Sequence, residues 1–165
     1  PDVVVIGKPM GNGHPMGAVI TSEEVAASFA EGVEFFSSFG GNPVSCAIGM
    51  AVLEVIEEEK LQQNALEVGK HYRTLLKQLQ KEDTRIGDVR GEGLFIGVEL
   101  ISENERPNTE LAQFLKNELR RRHVLISTDG PEDSVIKSKP PIVFNKENAE
   151  IVVAELRRGL KMSPF

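Results

Sequence analysis

A lysine placed where a buried strand gives way to a glycine-rich loop can do chemistry that a surface lysine cannot, and Lys8 stands at such a place. The β-branched run Val3-Val4-Val5-Ile6 precedes it, and Gly11, Gly13 and Gly17 follow. A strand end of this kind can fix an amine deep in a pocket, and the glycines let another molecule approach the backbone closely. Burial disfavours a charged ammonium, and the neutral amine is the form that attacks an aldehyde carbon to give an imine. A solvated lysine in a turn is the plainer alternative.

Other groups invite the same weighing. Gly11-Asn12-Gly13 could cradle a phosphate, but the residue order of a P-loop is absent and a plain tight turn is favoured. Ser37 and Ser38 can donate hydroxyl hydrogen bonds to a phosphate at the amino terminus of a helix starting at Pro43, or simply cap that helix. His14, wedged before Pro15, could contact a ligand; no second residue at metal-binding spacing accompanies it, so a structural or exposed histidine is expected and no metal site. Lys137 and Lys139 alternate with Ile136 and Ser138 just before Pro140-Pro141, and on an extended segment both ammonium groups project from one face, where they could hold an anion. Two solvated lysines guarding a sheet edge fit the pattern as well.

The elements that must position these residues alternate along the chain. The apolar run at 3–6 predicts a strand buried on both faces, and Ala18-Val19-Ile20 a second strand. Thr21 or Ser22 can cap a helix that carries Glu23 and Glu24 in its first turn and runs to about Ala30. Pro43 suits a first helical turn, and Val44, Ala47, Ile48, Ala51, Val52, Val55 and Ile56 follow at helical spacing; Cys46, within that run, is expected to be buried. A further helix covers about 61–80, with Leu66, Tyr72, Leu75, Leu76 and Leu79 as its core side. Beyond it the pattern predicts a strand over 93–100, a helix over 109–122 and a strand at 124–126. Short extended pieces at 135–136 and 142–144 and a helix over 146–161 complete the chain. Such alternation implies α/β or α+β layer packing, with a boundary near residue 60.

Composition narrows the class. The 165 residues, 40% hydrophobic with a net charge of −6, describe an ordinary globular chain with no broad basic surface for a nucleic acid. The run Arg120-Arg121-Arg122-His123 sits where cations suit the end of a helix dipole. One cysteine excludes an intramolecular disulfide framework and fits a reducing compartment, cytoplasmic or mitochondrial. No apolar stretch approaches the roughly 20 residues of a membrane-spanning helix, so no membrane partner is expected. Pro1 in place of methionine, with a strand-like run almost at once, predicts a chain that continues upstream.

The residues from Pro1 to Pro15, including Gly7-Lys8-Pro9-Met10-Gly11-Asn12-Gly13-His14-Pro15, resemble the Schiff-base segment of class III pyridoxal-phosphate aminotransferases. Three more stretches match in the same order: Ser38-Phe39-Gly40-Gly41-Asn42-Pro43, Arg90-Gly91-Glu92-Gly93-Leu94-Phe95-Ile96-Gly97-Val98-Glu99-Leu100, and Lys137-Ser138-Lys139-Pro140-Pro141. Four ordered motifs are far more specific than one. Within the family, Gly7 to Pro15 and Asp129-Gly130-Pro131 followed by Lys137-Ser138-Lys139-Pro140-Pro141 are most similar to the alanine–glyoxylate aminotransferase 2-like branch, which includes phospho-lyases of ethanolamine phosphate and phosphohydroxylysine.

The resemblance implies an α/β fold: the end of a fold-type I large domain over 1–60, then a small α+β carboxy-terminal domain over 61–165. It implies pyridoxal 5'-phosphate as cofactor, a small amine as substrate and a homodimer as the assembly. Lys8 then holds the cofactor and moves protons, and Ser38 matches a threonine that reaches the cofactor phosphate of the neighbouring subunit. Ser37 is a second phosphate candidate, and Lys137 and Lys139 are the substrate candidates. Where Lys137 stands, a transaminase of the family commonly has an arginine that grips a carboxylate in a planar fork, whereas lysine offers a point charge. That departure favours a phospho-lyase over an alanine–glyoxylate type aminotransferase. The family's aspartate for the pyridine nitrogen and most of its phosphate loop lie upstream of Pro1, so the chain alone is expected to bind the cofactor poorly. A third reading is that by itself it is a non-catalytic folding or dimerisation unit.

Overall fold

The computed structural model describes residues 1–32 and 34–165. The chain divides into two compact units, Pro1–Lys60 and Leu61–Phe165.

In the first unit, strand β1 (Val3–Ile6) pairs antiparallel with β2 (Ala18–Thr21), Val3 opposite Thr21 and Ile6 opposite Ala18. Helix α1 (Glu23–Ala30) begins at Ser22, whose hydroxyl accepts from the Val25 amide; the Thr21 hydroxyl instead donates to the Asp2 carbonyl and ties β2 to β1. Helix α2 (Pro43–Glu58) is capped by Asn42, whose side-chain oxygen accepts from the Ser45 amide at 2.9 Å. Two expectations are corrected here. Val3, Val4 and Val5 are exposed, Val5 at 76%, because among the described residues this two-stranded ladder has no covering layer. Cys46 is exposed rather than buried, since Gly49 is the one fully buried position along α2.

The second unit is a two-layer α+β sandwich. Helix α3 (Leu61–Glu82) leads into strands β3 (Ile86–Glu92) and β4 (Phe95–Leu100). Helix α4 (Thr109–Arg121), strands β5 (Ser127–Asp129) and β6 (Val135–Ser138), and helix α5 (Lys146–Met162) follow. The sheet runs β3-β4-β6-β5 with every neighbour antiparallel. Period-two alternation sends Ile96, Val98, Leu100 and Ile136 into one core with Tyr72, Leu76 and Leu79 of α3, Leu111, Leu115 and Leu119 of α4, and Val153, Leu156 and Leu160 of α5. Phe95, Gly97 and Lys137 stand on the opposite, outer face.

Several boundaries differ from the sequence reading. Residues 86–92 form a strand the pattern did not reveal, and Gly93-Leu94 is the turn after it. The strand expected at 124–126 lies at Ser127–Asp129, drawn there by pairing with β6, and 142–144 form a turn in which the Phe144 amide donates to the Pro141 carbonyl. Leu66 is 52% exposed; Leu61, Val68, Tyr72, Leu76 and Leu79 define the buried side of α3 instead.

Candidate functional site

Lys8 opens a single turn of 3-10 helix, Lys8–Met10, directly after β1. Its φ of 53° is one that a residue bearing a Cβ seldom adopts, and such strain costs of order 1 kcal/mol and collects at functional positions. The side chain is exposed and makes no hydrogen bond or ion pair among the described residues. The deep burial expected for it is therefore absent from this unit, for the same reason that β1 is exposed.

The loop after Lys8 is a chain of small turns. The Asn12 amide donates to the Pro9 carbonyl at 2.9 Å and the His14 amide to the Gly11 carbonyl at 3.1 Å, with Asn12 and Gly13 at positive φ. No room for a phosphate cradle is needed to explain these glycines: a Cβ at Gly11 would lie 2.2 Å from the His14 carbonyl oxygen. His14 then reaches α2, where its Nε2 and the Ser45 hydroxyl share a 2.8 Å hydrogen bond.

Ser37 and Ser38 sit in the irregular segment before α2. The Ser37 hydroxyl accepts from the Gly40 amide at 3.0 Å, a local turn contact, while Ser38 is exposed with no partner among the described residues. Asn42 performs the capping that the sequence offered to the serines. Ser37 keeps its hydroxyl hydrogen to donate, and Ser38 keeps its whole hydrogen-bonding capacity.

In the second unit, the outer sheet face holds an open cleft of about 390 Å³ lined by Arg90, Phe95, Gly97, Asp129, Val135 and Lys137 among others. Register explains its shape: Arg90, Gly97 and Lys137 are successive cross-strand partners, so a glycine floor lies between two cationic side chains. The Lys137 ammonium donates to Asp129 at 2.5 Å, and that contact, then the Gly130 amide, holds the Asp129 carboxyl below the usual carboxylate range. Arg90 is paired with Asp88 at 2.9 Å and with Glu99. The Lys139 ammonium sits 5.7 Å from the Phe95 ring centroid, over a side chain that lines the cleft. Sequence reasoning named Lys137 and Lys139 but not Arg90, Asp129 or Ser45 as site residues. Their roles depend on cross-strand register and loop docking, which no local pattern encodes.

Residues 1–160 match the family described as aminotransferase class-III, and the chain belongs to it. It is 52% identical over 164 residues to the alanine–glyoxylate aminotransferase 2-like protein of Drosophila melanogaster, covering 97% of this chain and 33% of that protein. It is 38% identical to ethanolamine-phosphate phospho-lyase homolog 1 of Caenorhabditis elegans, covering 98% of this chain and 35% of that protein. A solved phospholyase from Arthrobacter, in complex with phosphoethanolamine, superposes with a TM-score of 0.96 at 42% identity over 99% of this chain and 39% of that one. The chain thus spans about a third of the length of the curated relatives it matches. The α/β class expected from the sequence is that of these fold-type I structures.

Proposed function

We propose that the whole protein is a pyridoxal-phosphate-dependent phospho-lyase acting on a small phosphorylated amine of the ethanolamine-phosphate or phosphohydroxylysine type, and that it works as a homodimer. The residues present fit the cofactor: Lys8 has an amine without a partner among the described residues, and Ser38 and Ser37 have hydroxyl hydrogens to donate to a phosphate. When bound, pyridoxal phosphate supplies an electron sink for charge developing at the carbon that bears the substrate nitrogen. Lys8 holds the cofactor by its ε-amine and, when free of it, carries the proton at that carbon. In the second unit Lys137 and Lys139 present two ammonium groups to a dianion, Lys137 being held by Asp129 until the anion takes that place.

The observation that carries the lyase reading is the lysine at 137, a point charge that cannot reproduce the planar fork with which an arginine grips a carboxylate. The likeness to a phospholyase holding phosphoethanolamine supports it. The 52% identity to an alanine–glyoxylate aminotransferase 2-like protein favours a second reading, amino transfer between alanine and glyoxylate. The two are separated by assaying the full-length protein for inorganic phosphate release from ethanolamine phosphate and phosphohydroxylysine beside amino transfer from alanine to glyoxylate. Phosphate release as the faster reaction is expected. Efficient transamination with no phosphate release would replace the lyase reading with the aminotransferase one.

A further inference from the structure

His14 and Met16 flank Pro15 in the loop that leads into β2. Ser45 and Gly49 lie four apart on α2, about 6 Å along its axis and on one helical face. Each of the two loop residues meets one of them. His14 Nε2 bonds to the Ser45 hydroxyl at 2.8 Å, and Met16 packs over Gly49 so closely that a Cβ there would lie 2.8 Å from the methionine methyl carbon. From this match we infer that His14 is a positioning residue for Lys8, acting with Met16 as a two-point clasp that fixes the lysine loop to α2. The inference rests on the reading of Lys8 as the cofactor lysine.

The loop over 7–17 needs such a device. It carries Gly7, Gly11, Gly13 and Gly17, and among the described residues its own backbone bonds are local turns, Asn12 to Pro9 and His14 to Gly11, so fixing it against α2 is costly. The clasp supplies the missing restraint between Lys8 and the start of β2. It also reaches further. Asn42 donates from Nδ2 to the Ser45 hydroxyl at 3.0 Å and to the Phe39 carbonyl at 2.8 Å. One hydrogen-bonded path, His14 to Ser45 to Asn42 to Phe39, therefore joins the loop of Lys8 to the loop of Ser38. Ser45 accepts from Asn42 with one lone pair and keeps its hydroxyl hydrogen and second lone pair for His14, so either histidine tautomer satisfies the link.

The test uses full-length protein carrying His14→Ala, Ser45→Ala, both together, or His14→Gln, whose amide can donate to or accept from Ser45 as the imidazole does. Amide hydrogen exchange over 9–17 is followed in cofactor-free protein, and cofactor retention and thermal midpoint are measured beside it. Each alanine variant should exchange faster over 9–17 and hold the cofactor about tenfold more weakly, the scale of one lost hydrogen bond. The double variant should be no worse than either single one, His14→Gln should return to within about twofold, and the thermal midpoint of the cofactor-free protein should fall by no more than the few degrees that one hydrogen bond is worth. Multiplying effects in the double variant, failure of the glutamine to restore retention, or a lowered midpoint with exchange and retention unaltered would overturn the clasp. Failure of the Lys8 reading is seen separately, as cofactor attached to another lysine, while the exchange measurement still reports on the His14 contact.

Discussion

Gly69→Ala should destabilise the second unit, although alanine is the better helix former. At Gly69, α3 passes so close to the turn between β3 and β4 that an added Cβ would lie 2.0 Å from the Gly93 carbonyl oxygen and 2.8 Å from the Gly93 Cα. These are backbone atoms in a turn that cannot yield, because Gly93 and Gly91 are themselves at positive φ and a Cβ at Gly91 would meet the Phe95 carbonyl oxygen at 2.1 Å. Helix and turn must separate by about 1 Å, an overpacking that costs roughly 3 kcal/mol, against about 1 kcal/mol returned by helix propensity. The net loss of about 2 kcal/mol lowers the thermal midpoint by about 8 °C for a unit of this size. Gly159→Ala is the internal control: there the Cβ would meet a side-chain terminus, Leu115 Cδ2, at 2.8 Å rather than backbone, and the overpacking, offset by about 1 kcal/mol of helix propensity, should leave a net effect within about 1 kcal/mol. Thermal and urea unfolding followed by circular dichroism measure both. A Gly69→Ala protein as stable as wild type, or more so, would refute the close approach of α3 to the turn.

In the full-length protein, Lys8→Ala should abolish covalent cofactor attachment; borohydride reduction and peptide mapping of the wild type should label Lys8 alone. Lys137→Met should raise the Michaelis constant for ethanolamine phosphate while leaving attachment at Lys8 intact, and an unchanged constant would remove Lys137 from the substrate contacts. Arg85 donates to both oxygens of Asp83, at 2.9 and 2.7 Å, and this hydrogen bonding holds the Asp83 carboxyl below its ordinary range. A depressed folded-state value contributes stability that is present above the unfolded carboxylate range near pH 4 and lost as pH falls through the folded value. Asp83→Asn should therefore flatten the acid limb of a stability profile measured between about pH 2 and 5.

The helices were the legible part of the fold, because Pro43 marks a first turn and Tyr72, Leu76 and Leu79, Leu111, Leu115 and Leu119, and Leu156 and Leu160 repeat at helical spacing. Strand β3 was not, since Ile86-Gly87-Asp88-Val89-Arg90-Gly91-Glu92 combines two apolar residues with two glycines and three charges, and its extended state comes from pairing with β4. Register decided β5 in the same way: Ser127 pairs with Lys137, whereas the more apolar Val124 and Ile126 pack at the core margin without joining the sheet. For the candidate site, Lys8 and Ser38 were proposed from the family motifs around them. The carboxylates around Lys137 and Arg90 could not be named in this way, because Asp129 is eight residues from Lys137 and Glu99 nine from Arg90, and the chain must fold back before they meet.

Synthesis on the ribosome gives the strand order β3-β4-β6-β5 a cost in time. The β3–β4 hairpin emerges with one edge of β4 unpaired, and the strand that closes it, β6, begins only at Val135, after β4 has ended at Leu100. At translation rates of about 5–20 residues per second, that edge waits for roughly 2–7 s. Through the wait it offers backbone donors and acceptors beside Ile96, Val98 and Leu100 to any passing strand, which is the usual route to edge-to-edge association. The length of the segment carrying α4 therefore works as a delay line in the nascent chain. An insertion at 103–105, the tip of the turn closed by the Ile101–Pro107 bridge, would lengthen the exposure of β4 during translation while sparing the pairing of the finished sheet.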